Sequence, residues 1–248
     1  MLHKLSLIRT SVPVILKRVS LSQKLLTLTV CMVYLLIGSA CSPPSPDESG
    51  YVEELLKDRI YKDEAFLEDE DSPVPLDRRS WMLPLRYYEP DLSYRVPAEL
   101  NVSSDQPIFK IPTSTGQLRS MQRVGLLEFK LNGESRTLSA FVELPSQESG
   151  QLFVPFRDET SSKETYPGGR YLDLDQTPTG IYDLDFNRAY TPFCYFSEDF
   201  DCPFPPPENR LTTAIRAGER LPDESEQRLP IEISVPPDES FISETSGN

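Results

Sequence analysis

Histidine is almost absent from this chain. Its 248 residues include one histidine, His3, which precedes an apolar run near the amino terminus. Histidine is the usual general base beside a nucleophilic serine and a common ligand of zinc and iron. If the chain is cleaved after the apolar run, the sequence excludes a Ser-His-Asp triad and a His-ligated metal centre. Any hydrolytic chemistry would then depend on carboxylates, Lys, Tyr or a bound metal.

Basic residues are also scarce, with 25 Lys and Arg against 39 Asp and Glu and a formal net charge of −14. The segment before Cys41 contains five basic residues and no acidic one, so its removal takes the net charge to −19. A protein that binds nucleic acid must neutralise phosphates with Lys and Arg. The charge therefore argues against a nucleic-acid partner, and also against docking of a basic patch on anionic lipid.

The sequence has no apolar run long enough to be a typical membrane span. Leu25–Ile37 lies in an apolar stretch of about 13 to 16 residues, whereas a spanning helix needs roughly 20. Scattered Lys and Arg precede it and Gly38-Ser39-Ala40-Cys41 follows, which is the pattern of a secretory signal segment. The segment resembles a bacterial lipobox, with Gly38 where Leu is usual. We expect export and a lipid anchor on Cys41 in the cell membrane or outer envelope; a plain cleaved signal and an uncleaved span are the alternatives.

Proline is abundant and glycine is not, at 24 and 11 residues, and many prolines separate short apolar runs. This is typical of a loop-rich β protein. We predict a signal segment over residues 1–40, a polar tether over 41–50, a β-rich domain over 51–221 and a disordered acidic tail over 222–248. Apolar residues at a 3.6-residue period predict one N-terminal helix over Tyr51–Leu67.

Two hairpins are predicted. Asn132-Gly133 lies between alternating segments within Val124–Leu144, and this dipeptide favours a two-residue turn. Arg170–Asp175 and Ile181–Phe186 form the second candidate, around a turn at residues 176–180. Further short strands are expected, among them Ile108–Pro112, Leu152–Phe156, Ala214–Ala217 and Ile231–Val235. The predicted fold is mostly β, an antiparallel sandwich or partly open barrel with one N-terminal helix.

Several segments resemble the signature of the domain of unknown function (DUF) 1684 family. They are YYEPDLSYRV, TSTGQLRSMQRVG, GQLFVPF, PFRDETSSKETYPGGRYLDL, LDFNRAYTPFC, CPFPPPENRL and IRAGER, within Tyr51–Arg220. Ser162 stands where the family more often has Gly. The family occurs in bacteria and archaea and has no established activity, so the resemblance implies an identity without a function.

Two of the four cysteines lie in the predicted domain. Cys31 is in the apolar run and Cys41 is the lipid acceptor, which leaves Cys194 and Cys202. A cysteine pair in an exported domain favours a disulfide. Two thiolate ligands of a metal site are the alternative.

The second predicted hairpin is acidic. Asp173 and Asp175 share one strand face, and Asp183 and Asp185 share another. Opposed like charges are destabilising, so we expect water, Arg170 or Arg188, or a cation to offset them. Ca²⁺ would be the cofactor in the last case, because it prefers oxygen ligands; otherwise no cofactor is expected.

Polar residues cluster in three predicted loops at strand ends, where β scaffolds commonly bind small molecules or glycans. The alternative is that these groups bond to one another and hold the loops to the sheet. The candidate binding or catalytic residues are Arg157, Asp158, Glu164, Tyr166, Arg170, Asp173, Asp185, Asn187, Arg188, Tyr190, Asn209 and Arg210.

These features favour a membrane-anchored domain that binds a small molecule, a glycan or another partner at the cell envelope. One alternative is a carboxylate-dependent hydrolase, directed at glycans, that uses a pair among Asp158, Glu159, Glu164, Asp173 and Asp185. The other alternative is a structural envelope protein without a pocket.

Overall fold

The computed structural model describes residues 46–145, 150–222 and 242–244. The signal segment, Cys41, the start of the tether, Ile231–Val235 and most of the acidic tail lie outside these residues. The elements are α1 (Pro46–Glu68), α2 (Leu76–Met82), β1 (Arg86–Tyr87), β2 (Arg95–Val102), β3 (Ile108–Pro112), β4 (Leu118–Leu131), β5 (Glu134–Glu143), β6 (Gln151–Phe156), β7 (Arg170–Asp175), β8 (Ile181–Asp185), β9 (Glu219–Arg220) and β10 (Ile242–Glu244).

Helix α1 confirms the predicted N-terminal helix and begins earlier than predicted, inside the predicted tether. Tyr51, Leu55, Arg59 and Phe66 are buried at helical spacing, so one face of α1 packs on the rest of the domain. The short helix α2, which the sequence did not predict, packs Met82 beside Phe66 in a small second core. Within the described residues, no helix is both long and apolar enough to cross a membrane.

The sheet forms a nearly closed antiparallel barrel, which confirms the predicted mostly-β, partly open barrel fold. Hydrogen-bonded neighbours follow the order β8-β2-β4-β5-β6-β7, with β3 on the first part of β4 and β10 on β3. Alternate residues of the strands point inward, among them Leu127, Leu138, Val154 and Leu184. The other faces of β6 and β7 carry Phe153, Tyr171 and Asp173 and form part of the outer wall.

The first predicted hairpin is confirmed. Strands β4 and β5 are paired from Met121, opposite Glu143, to Leu131, opposite Glu134. Asn132 and Gly133 have φ angles of 52° and 80°. Positive φ at both turn residues matches the strand twist, which is why Asn-Gly favours this turn.

The second predicted hairpin is wrong as a hairpin, although both strands exist. β7 pairs with β6 and β8 pairs with β2, so the two strands form the opposite ends of the barrel path. The turn brings them side by side without a hydrogen-bonded ladder, and a groove lined by both strands opens along this seam. The barrel is therefore partly open where the sequence predicted a closed pair.

The predicted strand at Ala214–Ala217 is also wrong. This segment has no strand structure, and the strand follows it as β9, which pairs with β1. Carbonyl groups of this segment accept hydrogen bonds from a buried arginine instead of from a neighbouring strand.

Candidate functional site

Most of the predicted polar residues hold the domain together. Asp158 and Arg170 form an ion pair at 2.9 Å, and both side chains are 1% exposed. The Arg170 guanidinium also donates to the carbonyl oxygens of Ile215, Ala217 and Glu219. A buried charge needs such partners, and with them Arg170 fixes the chain before β9 to the start of β7.

A second buried group joins α1 to the end of β8. The Tyr51 hydroxyl donates to Asp185 Oδ2 at 2.6 Å. Asp185 Oδ1 accepts from the backbone and side-chain nitrogens of Asn187, and Asn187 Nδ2 also donates to the Asp91 carbonyl. Burial and this hydrogen bond to Asp185 raise the pKa of Tyr51 above its ordinary value. Asp185 and Asn187 therefore have structural roles.

Asn209 is a third structural residue. It is fully buried, its Oδ1 accepts from Ser139 N at 2.7 Å, and its Nδ2 donates to the carbonyls of Ser139 and Pro155. The amide side chain joins the Pro-rich segment to β5 and β6. Both donors and the oxygen of the Asn209 amide have protein partners, and the side chain is fully buried, so its role is structural.

Two candidates take part in exposed ion pairs. Glu164 accepts bidentate hydrogen bonds from Arg216, with Nη2 to Oε1 at 2.7 Å, and these bonds lower the pKa of Glu164. Arg188 contacts Asp58 at 2.8 Å and Asp185 at 3.5 Å. Both residues connect loops to neighbouring elements.

Arg157 and Arg210 form a backbone bridge between two neighbouring segments, and neither residue lines the cleft described below. The Arg157 guanidinium lies 5.9 Å from the ring centroid of Phe204. Tyr166 is buried, with its hydroxyl 3.5 Å from Cys194 Sγ. The structure thus does not bring Arg170, Asp185 and Arg210 together in one pocket.

The predicted disulfide is not present, because Cys194 and Cys202 are free thiols. Cys194 N donates to Cys202 Sγ at 3.3 Å. A hydrogen bond from Cys202 lowers the pKa of the Cys194 thiol to about 7, whereas the same interaction raises the pKa of Cys202. The loop is held to the β3–β4 turn by Ser114, which accepts from Cys202 N and donates to the Phe200 carbonyl.

The four carboxylates of β7 and β8 have separate partners. Tyr190 donates to Asp173 at 2.6 Å, and Gln151 donates to Asp175 at 2.8 Å. Asp183 accepts two hydrogen bonds from Arg95, and Asp185 has the buried partners described above. The predicted offset by Arg188 occurs at Asp185, at 3.5 Å, whereas Asp183 is offset by Arg95, which the sequence did not indicate. In the described part of the chain, no group of three or more His, Cys, Asp or Glu residues is arranged to hold a metal ion.

A cleft of about 690 Å³ lies between the outer wall of the barrel and the loop that contains both thiols. Its volume falls in the range of small-molecule sites. We call it the aromatic cleft, after its five rings, which belong to Phe153, Tyr171, Tyr190, Phe193 and Phe200.

The rings of the aromatic cleft support one another in edge-to-face contacts. Tyr171 contacts Phe153 at 4.6 Å and Tyr190 at 5.7 Å between centroids, and Phe193 contacts Phe200 at 5.4 Å. Tyr171 is also fixed by its hydroxyl, which donates to the Pro203 carbonyl. One group of rings comes from the barrel wall and the other from the loop, so together they line two sides of the cleft.

The charged residues of the aromatic cleft are mainly acidic. Arg119 contacts Asp201 at 3.0 Å and Glu143 at 3.3 Å. Burial opposes ionisation of Asp201, but hydrogen bonds from Thr113, Thr115 and Arg119 outweigh it and lower its pKa. Partial burial removes water from the carboxyl group of Asp173 and raises its pKa, although part of the side chain is exposed to solvent. The hydrogen bond from Tyr190 opposes that rise.

Of the predicted binding residues, only Asp173 and Tyr190 line the aromatic cleft. Cys202, which was predicted to form a disulfide, also lines it. Sequence reasoning missed the other rings and Arg119. Phe153 could have been found, because it alternates with the inward-facing Leu152 and Val154 and must face outward. Arg119 and Asp201 are 82 residues apart, and no local pattern connects them.

Fold and site together define a small antiparallel β-barrel domain with a ligand-sized cleft on its outer wall. The chain belongs to the family described as Protein of unknown function (DUF1684), whose model matches residues 83–220. The matched region begins after α1 and α2, whereas the resemblance in the sequence was expected to begin at Tyr51.

The chain is similar to an uncharacterised protein of Haloarcula marismortui whose structure was determined in solution by NMR. The two are 40% identical, the match covers 73% of this chain and all of the other, and the TM-score is 0.58. The comparison with curated proteins found no match.

Proposed function

We propose that this protein is a non-enzymatic binding domain of the cell envelope, exported and attached through a lipid on Cys41, and that the aromatic cleft holds its ligand. The ligand would be a small molecule or a glycan unit. A single observation supports this proposal most strongly: five aromatic rings and the Tyr190–Asp173 pair converge on one open cleft of about 690 Å³.

This cleft has the two properties that a small-molecule site needs. Its rings supply apolar surface, and some of its polar groups are fixed in place, because Tyr171 and Tyr190 each donate to a defined acceptor. Rings that are already packed lose little conformational entropy when a ligand binds. The cleft is also an argument against the purely structural alternative, which requires no concave site.

The state of the predicted carboxylates favours binding over hydrolysis. A paired-acid glycosidase needs two carboxyl groups about 5–10 Å apart across an open cleft. Asp158 is buried against Arg170, Asp185 is buried against Tyr51, and Glu164 is held by Arg216. Of the five carboxylates proposed as catalytic pairs, only Asp173 lines the aromatic cleft.

The test is a binding screen by NMR on the isotope-labelled domain, with a panel of small metabolites and short oligosaccharides. We expect saturable shifts of backbone amides in β6, β7 and the loop at residues 193–203. Phe200→Ala should weaken binding roughly three- to tenfold, since one aromatic contact contributes about 0.5–1.5 kcal/mol.

Tyr61→Ala is the matched control, because Tyr61 is an exposed ring on α1, 73% accessible, and does not line the aromatic cleft. It should leave the affinity unchanged. Saturable binding that maps to another surface, or affinity that is unaffected by Phe200→Ala, would contradict the proposal.

A further inference from the structure

The aromatic cleft carries an excess of negative charge. Glu143, Asp173, Asp199 and Asp201 line it with a single guanidinium, that of Arg119. Arg119 is shared between Glu143 and Asp201. The four carboxylates and one cation leave a formal charge of −3 on the walls.

Two of these carboxylates have neutral partners. Asp173 accepts from the Tyr190 hydroxyl at 2.6 Å, and Asp199 accepts from the Ser197 hydroxyl at 2.9 Å. Lys62, which lies 5.1 Å from the Tyr190 ring centroid, forms a 2.6 Å ion pair with the buried Glu219. Within the described residues, neither Asp173 nor Asp199 forms an ion pair with a protein cation.

The rings around these carboxylates favour the same sign of ligand charge. An aromatic face attracts a cation through its quadrupole, most strongly when water is excluded. Phe153, Phe193 and Phe200 line the cleft, and Phe193 is 37% exposed. A cation in the cleft could therefore contact ring surface and a carboxylate at once.

We infer that the ligand of the aromatic cleft is an organic ammonium ion, a small molecule whose amine or quaternary ammonium group lies against the rings beside Asp173. This inference rests on the proposed binding function and specifies its ligand class. A neutral sugar would cover Asp173 and Asp199 and bring no opposite charge to offset the cost of their desolvation. An ammonium group offsets that cost.

A pair of isosteric probes tests the inference on the wild-type protein. Choline and 3,3-dimethyl-1-butanol have nearly the same shape and differ in the charge of the central atom. Titration of each at 50 mM salt, followed by NMR, should give at least about tenfold tighter binding of choline, a difference that cation–π and carboxylate contacts can supply. Raising the salt concentration to 500 mM should weaken choline binding and leave the alcohol unaffected.

Two variants locate the effect. Asp173→Asn removes the charge and keeps an oxygen that can accept from Tyr190, so it should reduce the preference for choline severalfold. Asp175→Asn is the matched control, because Asp175 lies two residues further along β7, bonds to Gln151 and does not line the aromatic cleft. It should leave the preference unchanged.

The outcomes separate this inference from the proposed function. Equal or tighter binding of the neutral isostere, or of neutral sugars alone, overturns the ammonium ligand and leaves the binding domain standing. An unchanged preference in Asp173→Asn also overturns the inference. Failure of every probe and every panel compound to bind in the cleft overturns both.

Discussion

At the scale of single residues, Arg170 differs from its sequence-based interpretation as a candidate ligand-binding group. Its partners Ile215, Ala217 and Glu219 lie 45 to 49 residues further along the chain. An arginine in a polar loop sequence is usually exposed, and only the fold places these carbonyl groups around it. The pair with Asp158 therefore belongs to the interior, where removal of either partner would leave an uncompensated charge.

Ser162 occupies a backbone position that suits glycine. Its φ angle is 70°, in the left-handed region that L-residues seldom adopt. The family resemblance indicated Gly at this position, and the structure supplies the physical reason. The turn closes through a hydrogen bond from Ser162 N to the Thr165 carbonyl at 3.1 Å.

Ser162→Gly should therefore stabilise the domain. An L-residue in the left-handed conformation costs roughly 1–2 kcal/mol, and glycine removes that cost. The greater flexibility of glycine in the unfolded chain offsets part of this stabilisation, so we expect a net increase of about 1 kcal/mol in the free energy of unfolding. Urea denaturation of the two proteins measures it. Ser162→Ala keeps the side-chain clash and should bring no gain; equal effects of Gly and Ala would show that the backbone conformation is not the cause.

At the scale of elements, β4 changes its neighbour at Gly125. Residues 118–122 pair with β3, and residues 125–129 pair with β2 on the same edge. The pairing with β5 shifts register between Arg123 and Gly125. A Cβ atom on Gly125 would lie 2.3 Å from the Asn101 carbonyl oxygen, so the close approach of β2 requires glycine here.

Gly125→Ala should push β2 away from β4 and lower the free energy of unfolding by about 1–3 kcal/mol, the usual cost of overpacking. Thermal and urea unfolding would show the loss. Gly50→Ala is the control, because an added Cβ there meets no atom within 4 Å and the position is helical. If Gly125→Ala were as stable as the control, the contact between the strands would not be limiting.

The elements that could be predicted from the sequence are those determined by local chemistry. The β4–β5 hairpin follows from Asn132-Gly133 and from alternating residues on both sides. The failure at β7 and β8 has the opposite cause: strand pairing depends on partners far away in the chain, here β6 and β2. A turn signal places two strands side by side but does not decide whether they pair.

The site follows the same division. Tyr190 was predicted because it lies in a polar stretch, and Asp173 because it lies on the acidic face of a predicted strand. Phe153, Phe193 and Phe200 were not distinguished from ordinary core residues. Apolar composition cannot tell a ring in the core from a ring in a cleft. The position of the loop at residues 193–203 over the outer wall makes that difference, and tertiary contacts set that position.

At the scale of the whole molecule, the proposed attachment to a membrane depends on residues 1–45, which lie outside the described part of the chain. The prediction of a lipid on Cys41 is therefore tested on the native protein. Mass spectrometry should find a chain that begins at Cys41 and carries the added mass of a lipid. The protein should partition with membranes.

Cys41→Ala provides the comparison. Without the thiol, the lipid cannot be attached, so the protein should leave the membrane fraction or retain its leader. A wild-type protein that begins at Met1 and stays in the cytosol would contradict the predicted export and anchor.

The seam between β7 and β8 has a consequence for neighbouring copies of the protein. Two strand edges that do not pair with each other could each accept a strand from another chain and so start aggregation. Asp173 and Asp175 lie along one edge and Asp183 lies along the other, with all three side chains exposed. Arg95 pairs with Asp183, but the partners of Asp173 and Asp175 are neutral. A foreign strand that added to the β7 edge would have to approach these two carboxylates, and their charge disfavours such pairing.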